Sequence, residues 1–150
     1  MALYYLETSA LVKLYVYEVG TDRLLNLASQ SAGHKFAILS LAQVEFRSAI
    51  RRRERNGEVP SIAANELLEI FQRHVEGRFL MQPVTNFVLD GASVLVDRYA
   101  LRAYDAVQLA GYLILRTTSG SEEPIFVCAD NILLAAAQSE GLIVLDPCLP

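Results

Sequence analysis

A chain of 150 residues, 53% hydrophobic and 20% charged, is long enough to bury a core of its own, and we expect one domain over residues 1–150. Its formal net charge of -4 excludes a general attraction to nucleic acid, which recruits basic surfaces to neutralise phosphates. No apolar run approaches the ~20 residues that cross a bilayer, and "MALYYL" has neither the basic flank nor the length of a signal peptide, so a cytoplasmic chain without a membrane partner is expected.

Residues 2–6, "ALYYL", form a first apolar run without polar alternation, and further runs lie at 35–39, 79–84, 124–128 and 142–145. Such runs suit strands covered on both faces. Helical stretches long enough to be crossovers separate them, so the pattern predicts an α/β fold with a parallel sheet. After the first run, Thr8 is placed to cap a helix over about 9–17, and "TDRLLNLASQ" follows with an apolar stripe. Behind the second run, Ser40 and Gln43 have the spacing of a capping box ahead of "VEFRSAIRRRER", which Gly57 stops. "SIAANELLEIFQRHVEG" supplies another helix with Gly77 at its end, and Thr85 precedes "NFVLDGASVLVDRYA". The last two helices are expected over about 103–117, closed by "TTSGSEEP", and about 131–140, closed by Gly141.

In a doubly wound sheet, polar chemistry collects beyond the carboxyl ends of the strands, where the winding direction changes. Glu7 directly follows the first strand and Asp130 the fourth, in "FVCADN"; Glu45 lies one turn into the helix after the second strand, and Asp105 opens the helix in "LRAYDAVQLAGYLIL". At ~100° per residue, Leu101, Asp105, Leu109 and Tyr112 share one stripe, which turns Asp105 inward. An ionised carboxylate there is costly unless paired or metal-bound. Three of the four also have a plain structural role open to them: Asp130 as a helix cap, Glu45 as ion-pair partner of Arg52, Asp105 in a first turn favoured by the helix dipole.

Gathered in one place, these acids would repel one another and keep their charges only if a cation compensated. A hard divalent ion with oxygen ligands is the natural one. Mg2+ or Mn2+ held by carboxylates polarises a phosphoryl oxygen, activates water, and reverses the local sign where phosphate must approach. Zinc fits poorly, because His34, His74, Cys128 and Cys148 are scattered without ligand spacing. His34, in a loop, and His74, in a helix, are expected at the surface, Cys128 in the core and Cys148 in the tail. Arg47, Arg51, Arg52, Arg53 and Arg55 crowd "RSAIRRRER" behind Glu45, as either a solvated helix face or a phosphate-contacting patch.

"YYLETSALVKLY", the helix with Glu45, "LRAYDAVQLA" and "FVCADNILLAAAQSEGLIVLDP", in this order, resemble the PIN domain, in particular the VapC-type toxins of bacterial toxin–antitoxin pairs, over nearly the whole chain. The resemblance implies a five-stranded parallel sheet with helices on both faces, an acidic site binding Mg2+ or Mn2+, and hydrolysis of RNA. Carried across, Glu7 and Asp105 would be metal ligands, Glu45 and Asp130 would complete the acidic cluster, and Ser9 would orient a ligand or water. Asn131 matches a position that is often polar. Arg47, Arg51, Arg52 and Arg55 become candidates for contacting RNA. A cognate antitoxin protein covering the site and a homodimer are further implications.

The chain departs from the family at position 7, where Glu replaces the usual Asp and carries the carboxylate one methylene further. Mg2+ demands near-ideal octahedral geometry at ~2.0–2.1 Å, so a ligand displaced by ~1 Å weakens binding or misplaces the attacking water. A second expectation follows: a catalytically impaired PIN-fold binding module that keeps its antitoxin or another partner, with "TDRLLNLASQ" and "SIAANELLEIFQ" offering apolar stripes. Haloacid-dehalogenase-type phosphatases want a second acid where this chain has Ser9, and response-regulator receivers want an acidic pair and a late lysine, whereas the lysines here are Lys13 and Lys35.

Overall fold

A computed structural model describes residues 1–150, the side chain of Gln30 excepted. Five strands, β1 (Leu3–Leu6), β2 (Lys35–Leu39), β3 (Phe79–Gln82), β4 (Ile125–Val127) and β5 (Val144–Leu145), form one sheet in the order β3-β2-β1-β4-β5. Every neighbouring pair is parallel. Parallel neighbours cannot be joined by a tight turn, so helices carry the chain across. They are α1 (Thr8–Leu11), α2 (Thr21–Ala28), α3 (Ala42–Arg55), α4 (Ser61–Gly77), α5 (Asn86–Arg98), α6 (Ala103–Thr118) and α7 (Asn131–Ser139).

The period-2 alternation of strand side chains divides the core into two layers. Leu3, Tyr5 and Leu39 face α5, α6 and α7, whereas Tyr4, Leu6 and Ile38 face α1 to α4. The expected helices on both faces are therefore present; the central strand β1 is buried throughout and reads as an unbroken apolar run because both its faces are covered, whereas the edge strand β3 exposes Leu80 and Met81. Between α3 and α4 the second layer is filled by rings: Phe46 and Phe71 lie 4.0 Å apart, with Tyr15 5.0 Å and 5.5 Å from them. On the other face, Gly111 lets α6 approach β1. A Cβ there would stand 2.8 Å from the Tyr5 hydroxyl and 2.5 Å from Leu39 Cδ1.

Several local expectations need correction. The helix expected over 9–17 is only α1 followed by a 3-10 turn, Val12–Leu14. Its cap is Glu7, not Thr8, because the longer carboxylate folds back to accept the Ser9 N–H at 3.0 Å. Ser40 and Gln43 form no capping box: the Ser40 hydroxyl accepts the Val84 N–H at 3.0 Å, joining the exits of β2 and β3, and Leu41 precedes α3 at the cap position without a side-chain cap. His34 and His74 are half-buried rather than superficial; His34 Nδ1 accepts the Ala2 N–H at 3.0 Å, and His74 Nδ1 is 2.7 Å from the Tyr15 hydroxyl. Thr85 caps α5 through Val88 N–H at 3.3 Å, as expected, and Gly57 takes the left-handed φ of +76° that ends α3. Cys128 is buried and Cys148 exposed. Among the described residues no helix is long and apolar enough to cross a membrane.

Candidate active site

The strand order reverses beside β1: the chain moves out through β2 and β3, then returns to β4 on the other side. Loops leaving β1 and β4 diverge at that point and open a crevice beyond the carboxyl ends of the strands. Glu7 leaves β1 there, its N–H donating to the Val127 carbonyl at 3.0 Å, and Asp130 follows β4. Ser9 ties the two exits together. Its hydroxyl donates to the Glu7 carboxylate and accepts the Ala129 N–H at 2.9 Å.

Glu7 is only 5% exposed. Burial pushes its carboxyl up to about 7, the Ser9 hydrogen bonds and the Cys128 thiol pull it back, and the charge of Glu45 raises it further. Glu45, in the first turn of α3, accepts from Gln108 Nε2 at 2.6 Å and from the Thr8 hydroxyl at 3.0 Å. Burial raises its carboxyl, these hydrogen bonds oppose the rise, and Asp105 adds to it. The ion pair between Glu45 and Arg52 that the sequence allowed does not form. Asp105, half-buried in the first turn of α6, is raised by burial and then by the charge of Asp130, with Arg102 opposing. Asp130 is exposed and caps α7, accepting the Leu133 N–H at 3.0 Å, while Asn131 is the exposed first residue of that helix.

Glu7 and Glu45 line a cavity of about 400 Å³ together with Thr8, Ser48, Arg52 and Tyr104. Ser9, Asp105 and Asp130 stand outside that lining, so the four acids do not share a single cup. The arginines divide. Arg52 lines the cavity and has no ion pair among the described residues; Arg51 is bound to Glu54 at 3.1 Å, and Arg53 to Glu18 at 3.3 Å. Arg47, Arg51 and Arg55 do not line the cavity, so the arginine-rich segment is not one patch around the acids.

The donor set suits a hard divalent cation. It consists of carboxylate oxygens, and none of the four acids takes part in a salt bridge among the described residues. No group of three acidic, histidine or cysteine side chains is drawn together as a ready coordination sphere among the described residues. A Mg2+ ion held here would therefore rest on one or two carboxylates and keep several waters. Two polar residues in this place escaped the sequence reading: Gln108, fully buried and bonded to Glu45, and Thr8, which bonds Glu45 instead of capping. A glutamine inside the apolar segment "AVQLAG" was the available signal.

No family model matches the chain. Ribonuclease VapC35 of Mycobacterium tuberculosis, in strains CDC 1551 / Oshkosh and ATCC 25618 / H37Rv, is 33% identical over 147 residues, covering 95% of this chain and 96% of that protein. Among solved structures, a toxin-antitoxin complex from Klebsiella pneumoniae superposes with a TM-score of 0.62 at 16% identity, over 98% of each chain. VapBC2 from Rickettsia felis, bound to a DNA fragment from its promoter, gives 0.63 at 12%, over 95% of this chain and 97% of that one. FitAcB from Neisseria gonorrhoeae gives 0.64 at 14%, over 98% of each. The chain belongs to the VapC ribonuclease family, and its five-stranded parallel α/β sheet is the PIN fold.

Proposed function

We propose that residues 1–150 form a single-domain, divalent-metal-dependent endoribonuclease, the toxin of a toxin–antitoxin pair. One observation supports this above the rest: at the sheet's switch point, burial raises the carboxyls of Glu7, Glu45 and Asp105, a neighbouring acid adds to each rise, and no salt bridge among the described residues compensates them. A bound Mg2+ or Mn2+ ion supplies the positive charge that polarises the scissile phosphoryl group and activates water. Glu7 and Asp105 hold that ion, Glu45 and Asp130 complete its acidic surroundings, and Ser9 keeps the Glu7 carboxylate in register with the β4 exit. Arg52, on the cavity wall and without an ion pair among the described residues, draws in the phosphate backbone. RNA as substrate accords with the name of the Mycobacterium tuberculosis relative, and an antitoxin protein as partner with the Klebsiella complex. A homodimer in the cytoplasm belongs to the same reading.

A second reading has one observation in its favour. Glu7 is turned inward onto Ser9 and already satisfied as a helix cap, which fits a binding module with impaired catalysis. Incubating the chain with structured RNA and Mn2+, beside Glu7→Asp and Asp105→Asn, separates the two. The nuclease reading expects cleavage by the parent and none by Asp105→Asn. Cleavage by Glu7→Asp alone identifies an impaired nuclease, and cleavage undiminished in Asp105→Asn overturns the assignment of the site.

A further inference from the structure

Gln108 sits on α6 among Ala106, Leu109, Ala110 and Tyr112, all buried, and is itself fully buried. A carboxamide in such company is costly unless its polar atoms are paired. All of them are. Nε2 donates to Glu45 Oε1 at 2.6 Å and to Thr8 Oγ1 at 3.0 Å, while Oε1 is 3.1 Å from the Tyr5 hydroxyl, which also reaches the Gln108 carbonyl at 2.8 Å. The arrangement has one consistent polarity. An ionised carboxylate only accepts, so the amide hydrogens face Glu45 and the amide oxygen is left toward Tyr5, whose hydroxyl proton is shared between that oxygen and the Gln108 carbonyl. Thr8 accepts one of them and donates its own hydroxyl hydrogen bond to Glu45 Oε1 at 3.0 Å.

We propose that Gln108 is a positioning residue for Glu45: with Thr8 it grips one carboxylate oxygen, Oε1, and so presents the other, Oε2, to the cavity. The assignment rests on the reading of Glu45 as part of the metal-holding cluster. It explains three otherwise unrelated features. A polar side chain interrupts the inner face of α6; the hydroxyl of Tyr5, a core residue of the central strand, points at that side chain; and Gly111, one turn on, leaves room for the Tyr5 hydroxyl. Both donors land on the same oxygen, which fixes the carboxylate's rotation while leaving a lone-pair face unused. Partners of this kind around metal-binding groups commonly change metal affinity 10- to 100-fold when removed.

The test compares the parent with Gln108→Met, Tyr5→Phe, Glu45→Gln and the Gln108→Met/Glu45→Gln double variant, at a temperature where each is folded. Mn2+ affinity is measured by titration calorimetry, and kcat and KM by RNA cleavage. Gln108→Met keeps the volume and removes the hydrogen bonds. It should bind Mn2+ about 10-fold or more weakly and lose kcat with KM for RNA unchanged, and the double variant should be no worse than Glu45→Gln. Tyr5→Phe, which frees the amide to rotate, should shift Mn2+ affinity in the same direction by less, and it carries the comparison if Gln108→Met does not fold. Parental Mn2+ affinity in Gln108→Met beside a weakened Glu45→Gln would overturn the proposal alone, as would losses that add in the double variant. A Glu45→Gln variant equal to the parent in both measurements would overturn the metal-site reading of Glu45 and this proposal with it.

Discussion

Replacing Glu7 with Gln should remove a pH dependence of stability that the buried carboxyl imposes on the metal-free chain. Against an ordinary value of 4.5, a carboxyl held at about 7 means that the fold disfavours the charged form by about 3 kcal/mol. Between those two values the folded chain binds more protons than the unfolded one, so stability falls as pH rises from about 4.5 through about 7 and is level above that. Below about 4.5 both states carry the proton and the penalty vanishes. Glu7→Gln keeps the shape and still accepts the Ser9 N–H, so subtracting its profile from the parent's isolates this one group. Urea unfolding in the presence of a chelator, at pH 5 and pH 8, should show the parent losing about 2–3 kcal/mol relative to the variant across that span. Added Mn2+ should flatten the parent's slope by stabilising the ionised form. Parallel profiles for the two proteins would refute the reasoning, since the carboxylate would then ionise at no cost and need no cation.

Gly111→Ala should destabilise the fold by about 1–2 kcal/mol in thermal unfolding, because a Cβ placed 2.5 Å from Leu39 Cδ1 and 2.8 Å from the Tyr5 hydroxyl outweighs the gain of about 1 kcal/mol that alanine normally brings to a helix; a stabilised variant would contradict this. Arg52→Ala should change stability by no more than about 0.5 kcal/mol, as it has no ion pair among the described residues, yet lower the salt dependence of binding to single-stranded RNA by about 0.7 in logarithmic slope, read by fluorescence anisotropy without metal. Phe71→Ala should cost about 3–5 kcal/mol by urea midpoint, since the ring is buried, lies 4.0 Å from Phe46 and 5.5 Å from Tyr15, and its loss leaves a cavity between α3 and α4.

The layout of the fold was legible in the sequence for a simple reason. A parallel strand covered on both faces has no polar side to display, so "ALYYL" and "KFAIL" announce themselves, and what separates them must be crossover helices. Caps were legible only where the competition for the side chain was local. Thr85 and Asp130 each cap the helix that follows, whereas Ser40 is claimed by Val84 from the neighbouring strand exit, a contact 44 positions away that spacing cannot show. Thr8 and Gln108 were misplaced or missed on the same grounds. Their partners converge from α1, α3 and α6, and a buried amide satisfied across 63 and 100 positions looks in one dimension like a stray polar residue on an apolar face. The acids were found because each follows a strand or opens a helix, but which of them share the cavity, Glu7 and Glu45 with Asp105 and Asp130 outside it, depends on how α3 and α6 dock on the sheet.

Crystals of the chain soaked in Mn2+ and measured near the manganese absorption edge test the central claim most directly. The account predicts an anomalous peak in the crevice beyond β1 and β4, within coordination distance of Glu7 and Asp105 and beside the free oxygen of Glu45. A map with no peak there at millimolar Mn2+, or with manganese bound only at other carboxylates, would contradict it.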